Sequence, residues 1–127
     1  MFMLYCSLDL ELTGFDPLRD QILEIGFAFF RPAPQGFEVT ERWSQLFRAS
    51  VEVHPKILGL TGITAGDLDQ APALAEFHEF LRGKLGSAAI VGHNVDLDRR
   101  FLEAFGIPLG GPVIDTLDLG DQPVHLR

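Results

Sequence analysis

The sequence has one cysteine in 127 residues, so no disulfide can close within the chain. Cys6 sits among apolar neighbours in Leu4-Tyr5-Cys6-Ser7-Leu8 and reads as a buried strand residue rather than a reactive thiol, which points to the reducing cytoplasm. Basic residues are also scarce. Lys plus Arg number 10 against 18 Asp plus Glu, a net charge of -8, which argues against holding nucleic acid on a broad basic surface. The start, Met-Phe-Met-Leu-Tyr, lacks a basic leader and reaches Asp9 and Glu11 too soon for a signal peptide, so no export is expected. The longest uncharged stretch, Ala104 to Ile114, is interrupted by prolines and glycines and falls well short of the ~18 apolar residues of a membrane span. A soluble protein with no membrane contact is expected. Internal repeats, low-complexity tracts and linkers are absent as well.

What is present suits one ordinary domain: 46% hydrophobic and 22% charged residues, in a chain long enough to bury roughly two-thirds of its unfolded surface. From Leu4 to Glu11 the residues alternate, with Leu4, Cys6, Leu8 and Leu10 on one face and Tyr5, Ser7, Asp9 and Glu11 on the other, as a strand requires. Turn residues follow at Thr13 to Pro17. Gln21 to Phe30 is a second apolar run, Pro32 to Gly36 closes it, and Phe37 to Phe47 reads as a third strand antiparallel to the second. His54 to Leu60 suggests a short helical turn, Thr61 to Thr64 a loop, and the region of Asp67 and Leu68 another short turn. After Pro72, the spacing of Leu74, Phe77, Leu81 and Leu85, widened by Phe80, predicts an amphipathic helix over residues 73 to 85 with His78 outward. Ala88 to Val91 reads as a buried strand, Gly92-His93-Asn94 as its exit loop, and Asp96 to Phe105 as a helix. Pro112 to Asp115 is a fifth strand, and Thr116 to Leu119 begins something helical. The order is an α/β layout: an antiparallel three-strand meander joined by crossover helices to parallel strands.

Two acidic placements stand out. Asp9 and Glu11 leave the same face of the first strand about 6.6 Å apart, at ~3.3 Å rise per residue. On an edge strand they would form a solvated face. On the central strand expected here, with no basic residue in the strand to pair them, they call for partners or cations. Asp98 lies at i relative to Phe101, Leu102 and Phe105 at i+3, i+4 and i+7, an acid on the apolar face of its helix. An acid in the first turn also answers the helix dipole, a role that suits Asp96; the inward position favours function for Asp98. Clustered carboxylates of this kind add negative charge that bound cations cancel, so a net charge of -8 suits a metal-dependent phosphodiesterase.

Those residues carry a resemblance. Asp9-Leu10-Glu11-Leu12-Thr13-Gly14 resembles the D-x-E-x-T-G first motif of the DEDDh 3′-5′ exonucleases, the superfamily of the proofreading epsilon subunit of bacterial DNA polymerase III and of oligoribonuclease. Gly92-His93-Asn94-Val95-Asp96-Leu97-Asp98-Arg99-Arg100-Phe101-Leu102 is similar to its second motif, G-H-N-x-x-F-D-x-x-F-L, with Leu97 for the usual Phe. His54-Pro55 and Leu60-Thr61-Gly62-Ile63-Thr64 resemble the P…L-T-G-I-T segment of the proofreading branch, and Val113-Ile114-Asp115-Thr116-Leu117 its I-D-T-L strand. The likeness covers nearly the whole chain, in order.

The resemblance implies a ribonuclease H-like fold and a two-metal site with Mg²⁺ or Mn²⁺ ions about 3.5–4 Å apart. By motif, Asp9 would touch both ions, Glu11 the one that activates water and Asp98 the other, so their carboxylates should converge. Thr13, Gly14 and Phe15 would cradle and wedge the terminal nucleotides, Leu60, Thr61 and Ile63 would wall the pocket of the 3′-terminal base, and Asn94 would help hold the substrate. The implied substrate is a single-stranded 3′ end, DNA ahead of RNA, and the implied partner a DNA polymerase subunit.

The chain departs from the family pattern at its end. A third motif, H-x-x-x-x-D, should supply a general-base histidine and a fourth acid, and the sequence stops at Arg127 without it. Residues 1–127 are therefore expected to be the amino-terminal portion of an exonuclease domain, its fold incomplete at the C-terminus and its hydrolysis weak or absent. His125, with no aspartate after it, reads as a loop or helix-start residue. His54, His78 and His93 offer no clear substitute. Alternatives are a non-catalytic exonuclease-like binding module and an oligoribonuclease-like RNA exonuclease.

Overall fold

A computed structural model describes residues 3–119 of the chain; His125 lies outside them. Five strands, β1 (Tyr5–Leu12), β2 (Ile22–Ala33), β3 (Gly36–Leu46), β4 (Ala89–Gly92) and β5 (Val113–Asp115), form one sheet in the order β3-β2-β1-β4-β5. β1 is central, antiparallel to β2 and parallel to β4, and β4 is parallel to β5. This is the mixed α/β sheet expected from the meander and the crossover helices.

Alternation along β1 sets the two faces of the sheet. Cys6, Leu8 and Leu10 are buried and stand directly across from Phe29, Phe27 and Ile25 of β2. Onto this side pack α3 (His78–Leu85), through Leu81 and Leu85, and α4 (Val95–Ala104), through Val95, Phe101 and Leu102. Each such side chain contributes about 1.5–3 kcal/mol when fully buried. Ser7, Asp9 and Glu11 take the other face. Burial lifts the Cys6 thiol to about 12, with the charge of Glu41 adding to it, which leaves Cys6 an inert core residue.

A second apolar cluster, Leu23, Val53, Ile63 and Leu68, anchors α1 (Pro55–Thr61) and α2 (Ala65–Gln70). His54 caps α1, its Nδ1 accepting from the Lys56 amide at 3.0 Å, and Gly62 ends it at φ 76°, a left-handed conformation that glycine adopts without strain. Thr64 and Asp67 form a capping box on α2. Among the described residues no helix is long and apolar enough to cross a membrane.

Four local expectations are corrected. Leu4 is 47% exposed, because strand pairing begins one residue later at Tyr5. The β2–β3 turn is tighter than expected, the strands running on to Ala33 and resuming at Gly36. The helix over residues 73 to 85 is broken. A 3-10 turn covers Leu74–Phe77, and only from His78 is the backbone α-helical, because Phe77 at φ -105°, ψ 5° directs its ring onto Trp43 and Phe47 at 5.7 and 5.6 Å. His78 is not outward: its ring packs edge-on against Phe105 at 5.1 Å, in space left by Gly106, where a Cβ would come within 3.0 Å of Nε2.

Candidate active site

At the C-terminal end of β1 a cleft of about 520 Å³ opens between α1 and the amino end of α4. Its walls bring together every residue the sequence nominated except one: Asp9, Glu11, Thr13, Gly14, Phe15, Leu60, Thr61, Asn94 and Asp98. Ile63 is the exception. It is 7% exposed and packed with Leu23, Val53 and Leu68, so it supports α1 from behind rather than walling the cleft.

β1 delivers the first two acids. Asp9 is exposed and faces Gly26 across the β1–β2 pair, so no side chain covers it on that flank. Glu11 stands directly across from Glu24. Burial raises its pKa, and the charges of Asp9 and Glu24 raise it further. α4 delivers the third. Asp98 is 7% exposed and makes no hydrogen bond or ion pair with the described residues. Burial first, then the charges of Asp9, Asp115 and Glu11, push its carboxyl up to about 7. Asp96, one turn position away, points outward instead and pairs with Arg99 and Arg100, whose contacts lower its pKa, the Asp96–Arg99 hydrogen bond foremost. The two acids of this turn thus divide as expected.

The donor set is hard carboxylate oxygen, and the charges of Asp9 and Glu11 raise the cost of ionising Asp98, as that of Asp9 does for Glu11, which is a site in want of positive charge. That chemistry fits Mg²⁺ or Mn²⁺. The expected convergence is met only in part: among the described residues the three side chains line one cleft but do not close into a ligand group of three or more.

The loop after β1 is shaped by Asp20. The Thr13 hydroxyl donates to Asp20 Oδ1 at 3.1 Å and accepts from the Gln21 amide at 2.9 Å, while the Asp16 amide donates to Asp20 Oδ2 at 3.0 Å. A Cβ on Gly14 would meet that carboxylate, so a side chain there would push Asp20 out of these hydrogen bonds. The loop leaves the Phe15 ring 81% exposed at the cleft, with Leu60 of α1 79% exposed on the same cleft. Such apolar groups can stack against bases. The Thr61 hydroxyl is engaged within α1, donating to the Ile57 carbonyl at 2.9 Å.

The turn between β4 and α4 is latched from β5. Asn94 is left-handed at φ 58°, and its side chain caps nothing. Instead Asp115 accepts from the amides of Asn94 and Val95 at 2.8 Å each, and from Leu117 at 2.9 Å. Burial raises the Asp115 pKa, but the backbone amides of Leu117, Asn94, Val95 and Asp96 outweigh it and hold it below the usual range. His93 Nδ1 lies 3.0 Å from the Thr116 hydroxyl, which donates to the Gly92 carbonyl at 3.2 Å. At Gly92 a Cβ would meet Val95 at 2.7 Å and the Leu8 carbonyl at 3.1 Å.

Lys56, His93, Leu97 and Asp115 were not nominated from sequence. Lys56, His93 and Leu97 line the cleft. The Asp115–Leu117 bond is a local Asx turn that the Asp-Thr-Leu run could have signalled; its bonds to Asn94 and Val95 span about twenty residues and leave no local trace.

Comparison with known proteins gives a consistent picture. Residues 6–122 match the family model RNase_T, described as Exonuclease. The chain is 34% identical over 128 residues to DNA polymerase III PolC-type of Thermotoga maritima, covering 97% of this chain and 9% of that protein. It is 32% identical over 99 residues to the 3′-5′ exonuclease DinG of Staphylococcus aureus, covering 78% of this chain and 11% of that one. The chain thus spans about a tenth of these curated relatives. Among solved structures, product-bound exonuclease I superposes with a TM-score of 0.73 at 20% identity, over 94% of this chain and 31% of the other. Escherichia coli exonuclease I in complex with a dT13 oligonucleotide gives 0.69 at 20% identity, over 92% and 28%. At that identity the likeness is one of fold.

Proposed function

The chain belongs to the Exonuclease family, and from that membership we propose that it is the catalytic face of a divalent-metal-dependent 3′-5′ exonuclease acting on single-stranded DNA ends. The observation that carries this reading is the gathering of Asp9, Glu11 and Asp98 on one cleft, Asp98 buried without a partner among the described residues. Bound divalent cations would supply Lewis-acid polarisation of the scissile phosphate and a water of lowered pKa. Asp9, Glu11 and Asp98 would hold them. Phe15 and Leu60 present apolar surface to the terminal bases, and the Thr13-Gly14 turn presents backbone at the same edge. Asn94, exposed at the opposite wall, would contact the substrate strand. The name of one relative, a DNA polymerase, supports a DNA substrate and a proofreading-like setting; a polymerase subunit is the proposed partner and the cytoplasm the proposed location.

Among the described residues the cleft holds one histidine, His93, whose Nδ1 lies 3.0 Å from the Thr116 hydroxyl; we assign it no general-base role, the family's base lying in the third motif. Hydrolysis by residues 1–127 alone is accordingly expected to be weak, because general-base catalysis is typically worth about 10²–10⁴-fold. The test is a 3′-labelled single-stranded oligonucleotide incubated with Mn²⁺, in DNA and RNA forms, with the chain and with Asp9→Ala. Slow, Asp9-dependent release of labelled mononucleotide, faster from DNA, is expected. Binding of the end without any release, even at high enzyme, would instead mark a binding module, and preference for RNA an oligoribonuclease-like enzyme.

A further inference from the structure

We propose that Asp115, at the end of β5, is a positioning residue that holds Asp98 in the cleft by clamping the first turn of α4. The inference deepens the metal-dependent reading of this cleft and rests on it. Asp98 sits one helical turn beyond Val95, on the face that carries Val95 and Leu102 into the core. Asp98 is 7% exposed there with no protein partner among the described residues, and a helix free to adjust would turn it further towards water.

Two features oppose that rotation. One is the apolar packing of Val95, Phe101 and Leu102. The other is the Asp115 carboxylate, which fixes the amides of Asn94 and Val95 at 2.8 Å each and so determines where α4 begins. Asn94 adopts its left-handed conformation under that clamp, at φ 58°, one that asparagine tolerates better than most residues and glycine better still. The clamp and the turn belong together: the chain reverses at Asn94, where the amides of Asn94 and Val95 both meet the one carboxylate.

Asp115 is poorly suited to bind a cation itself. Both of its oxygens accept backbone amides, a third amide comes from Leu117, and its side chain is not on the cleft wall. It acts through backbone geometry, as the supporting partners of metal ligands generally do.

The test is Mn²⁺ affinity, read from the electron paramagnetic resonance signal of free Mn²⁺ with no substrate present, beside thermal melts in EDTA. The chain is compared with Asp98→Asn, Asp115→Ala and Asp115→Ala/Asn94→Gly. Asp115→Ala is expected to weaken Mn²⁺ binding by roughly 10-fold or more. Asn94→Gly in the same chain should recover much of that loss, because glycine holds the left-handed turn without the clamp. A lowered melting temperature with unchanged affinity would reduce Asp115 to a structural cap and overturn the proposal. So would a loss of affinity that Asn94→Gly leaves untouched, since that would be the effect of charge alone. If Asp115→Ala does not fold, Asp115→Asn, which keeps one acceptor, stands in, and affinity equal to the parent overturns the idea. Mn²⁺ binding that is indifferent to Asp98→Asn would reject the metal-dependent reading itself, a result distinct from any of these.

Discussion

Glu24 on β2 stands directly across from Glu11 on β1, two carboxylates facing each other on the same side of the sheet. Like charges in this relation destabilise a sheet, by the same ~0.2–1 kcal/mol that opposite charges would add. Glu11 lines the cleft, where bound cations would offset the repulsion, while Glu24 does not. Glu24→Gln should therefore stabilise the metal-free chain by roughly that amount at pH 7.5. At pH 3.5, below the ordinary 4.5 of Glu11, the gain should vanish because Glu11 is protonated in either case. Urea unfolding at the two pH values measures it. An equal gain at both would point to packing rather than charge.

Asp98 gives the larger pH effect. In the unfolded chain its proton leaves near 3.8, whereas in the fold it is held to about 7. Between those values the native state binds more protons than the unfolded one, so stability falls as pH rises and levels off above 7. The penalty is absent below pH 4. Asp98→Asn removes it, and should raise stability at pH 8 by on the order of a few kcal/mol while changing little at pH 4. Denaturant midpoints across this range would show the two curves parting with rising pH. Parallel curves would mean that Asp98 is ionised as readily in the fold as outside it.

Divalent cations should act on the same quantity in the opposite direction. Ligand at 100 times its dissociation constant stabilises a native state by about 2.7 kcal/mol. Mn²⁺ is expected to raise the melting temperature, more at pH 8 than at pH 6 because protonated Asp98 must lose its proton to bind. The shift should disappear in Asp9→Ala. If it persists there, the cation binds elsewhere on the acidic surface.

Much of this arrangement was legible in the sequence because it is local. Alternation over Leu4 to Glu11 placed Asp9 and Glu11 on the face opposite Cys6, Leu8 and Leu10, and helical spacing placed Asp98 inward and left Asp96 outside. Where tertiary contacts decide, the reading failed. Ile63 follows Leu60 and Thr61 in one motif, but the reversal at Gly62, φ 76°, sends it into the second cluster with Leu23. Phe77 fits the helical stripe, yet the aromatic group of Trp43 and Phe47 draws it out of the helix. The Asp115 clamp joins residues far apart in sequence, so no window could contain it.

Lys56 completes the electrostatics of the cleft. One wall is acidic, through Asp9, Glu11 and Asp98, and Lys56 on α1 is the only Lys or Arg that lines it among the described residues. Its side chain is exposed and makes no ion pair there. If the proposed single-stranded substrate binds this cleft, a lone cation at this position in a chain of net charge -8 would meet a phosphate of that strand. Each phosphate neutralised in single-stranded nucleic acid contributes about 0.7 to the slope of log affinity against log salt. Lys56→Ala should therefore weaken single-stranded DNA binding by a similar factor whatever the base sequence, and reduce the salt slope by about 0.7. Lys56→Arg should restore both. Fluorescence anisotropy over a KCl series, with Ca²⁺ replacing Mn²⁺ to prevent cleavage, would measure the slope. An unchanged slope in Lys56→Ala would place the phosphate contacts elsewhere, and a loss confined to particular sequences would make Lys56 a base contact.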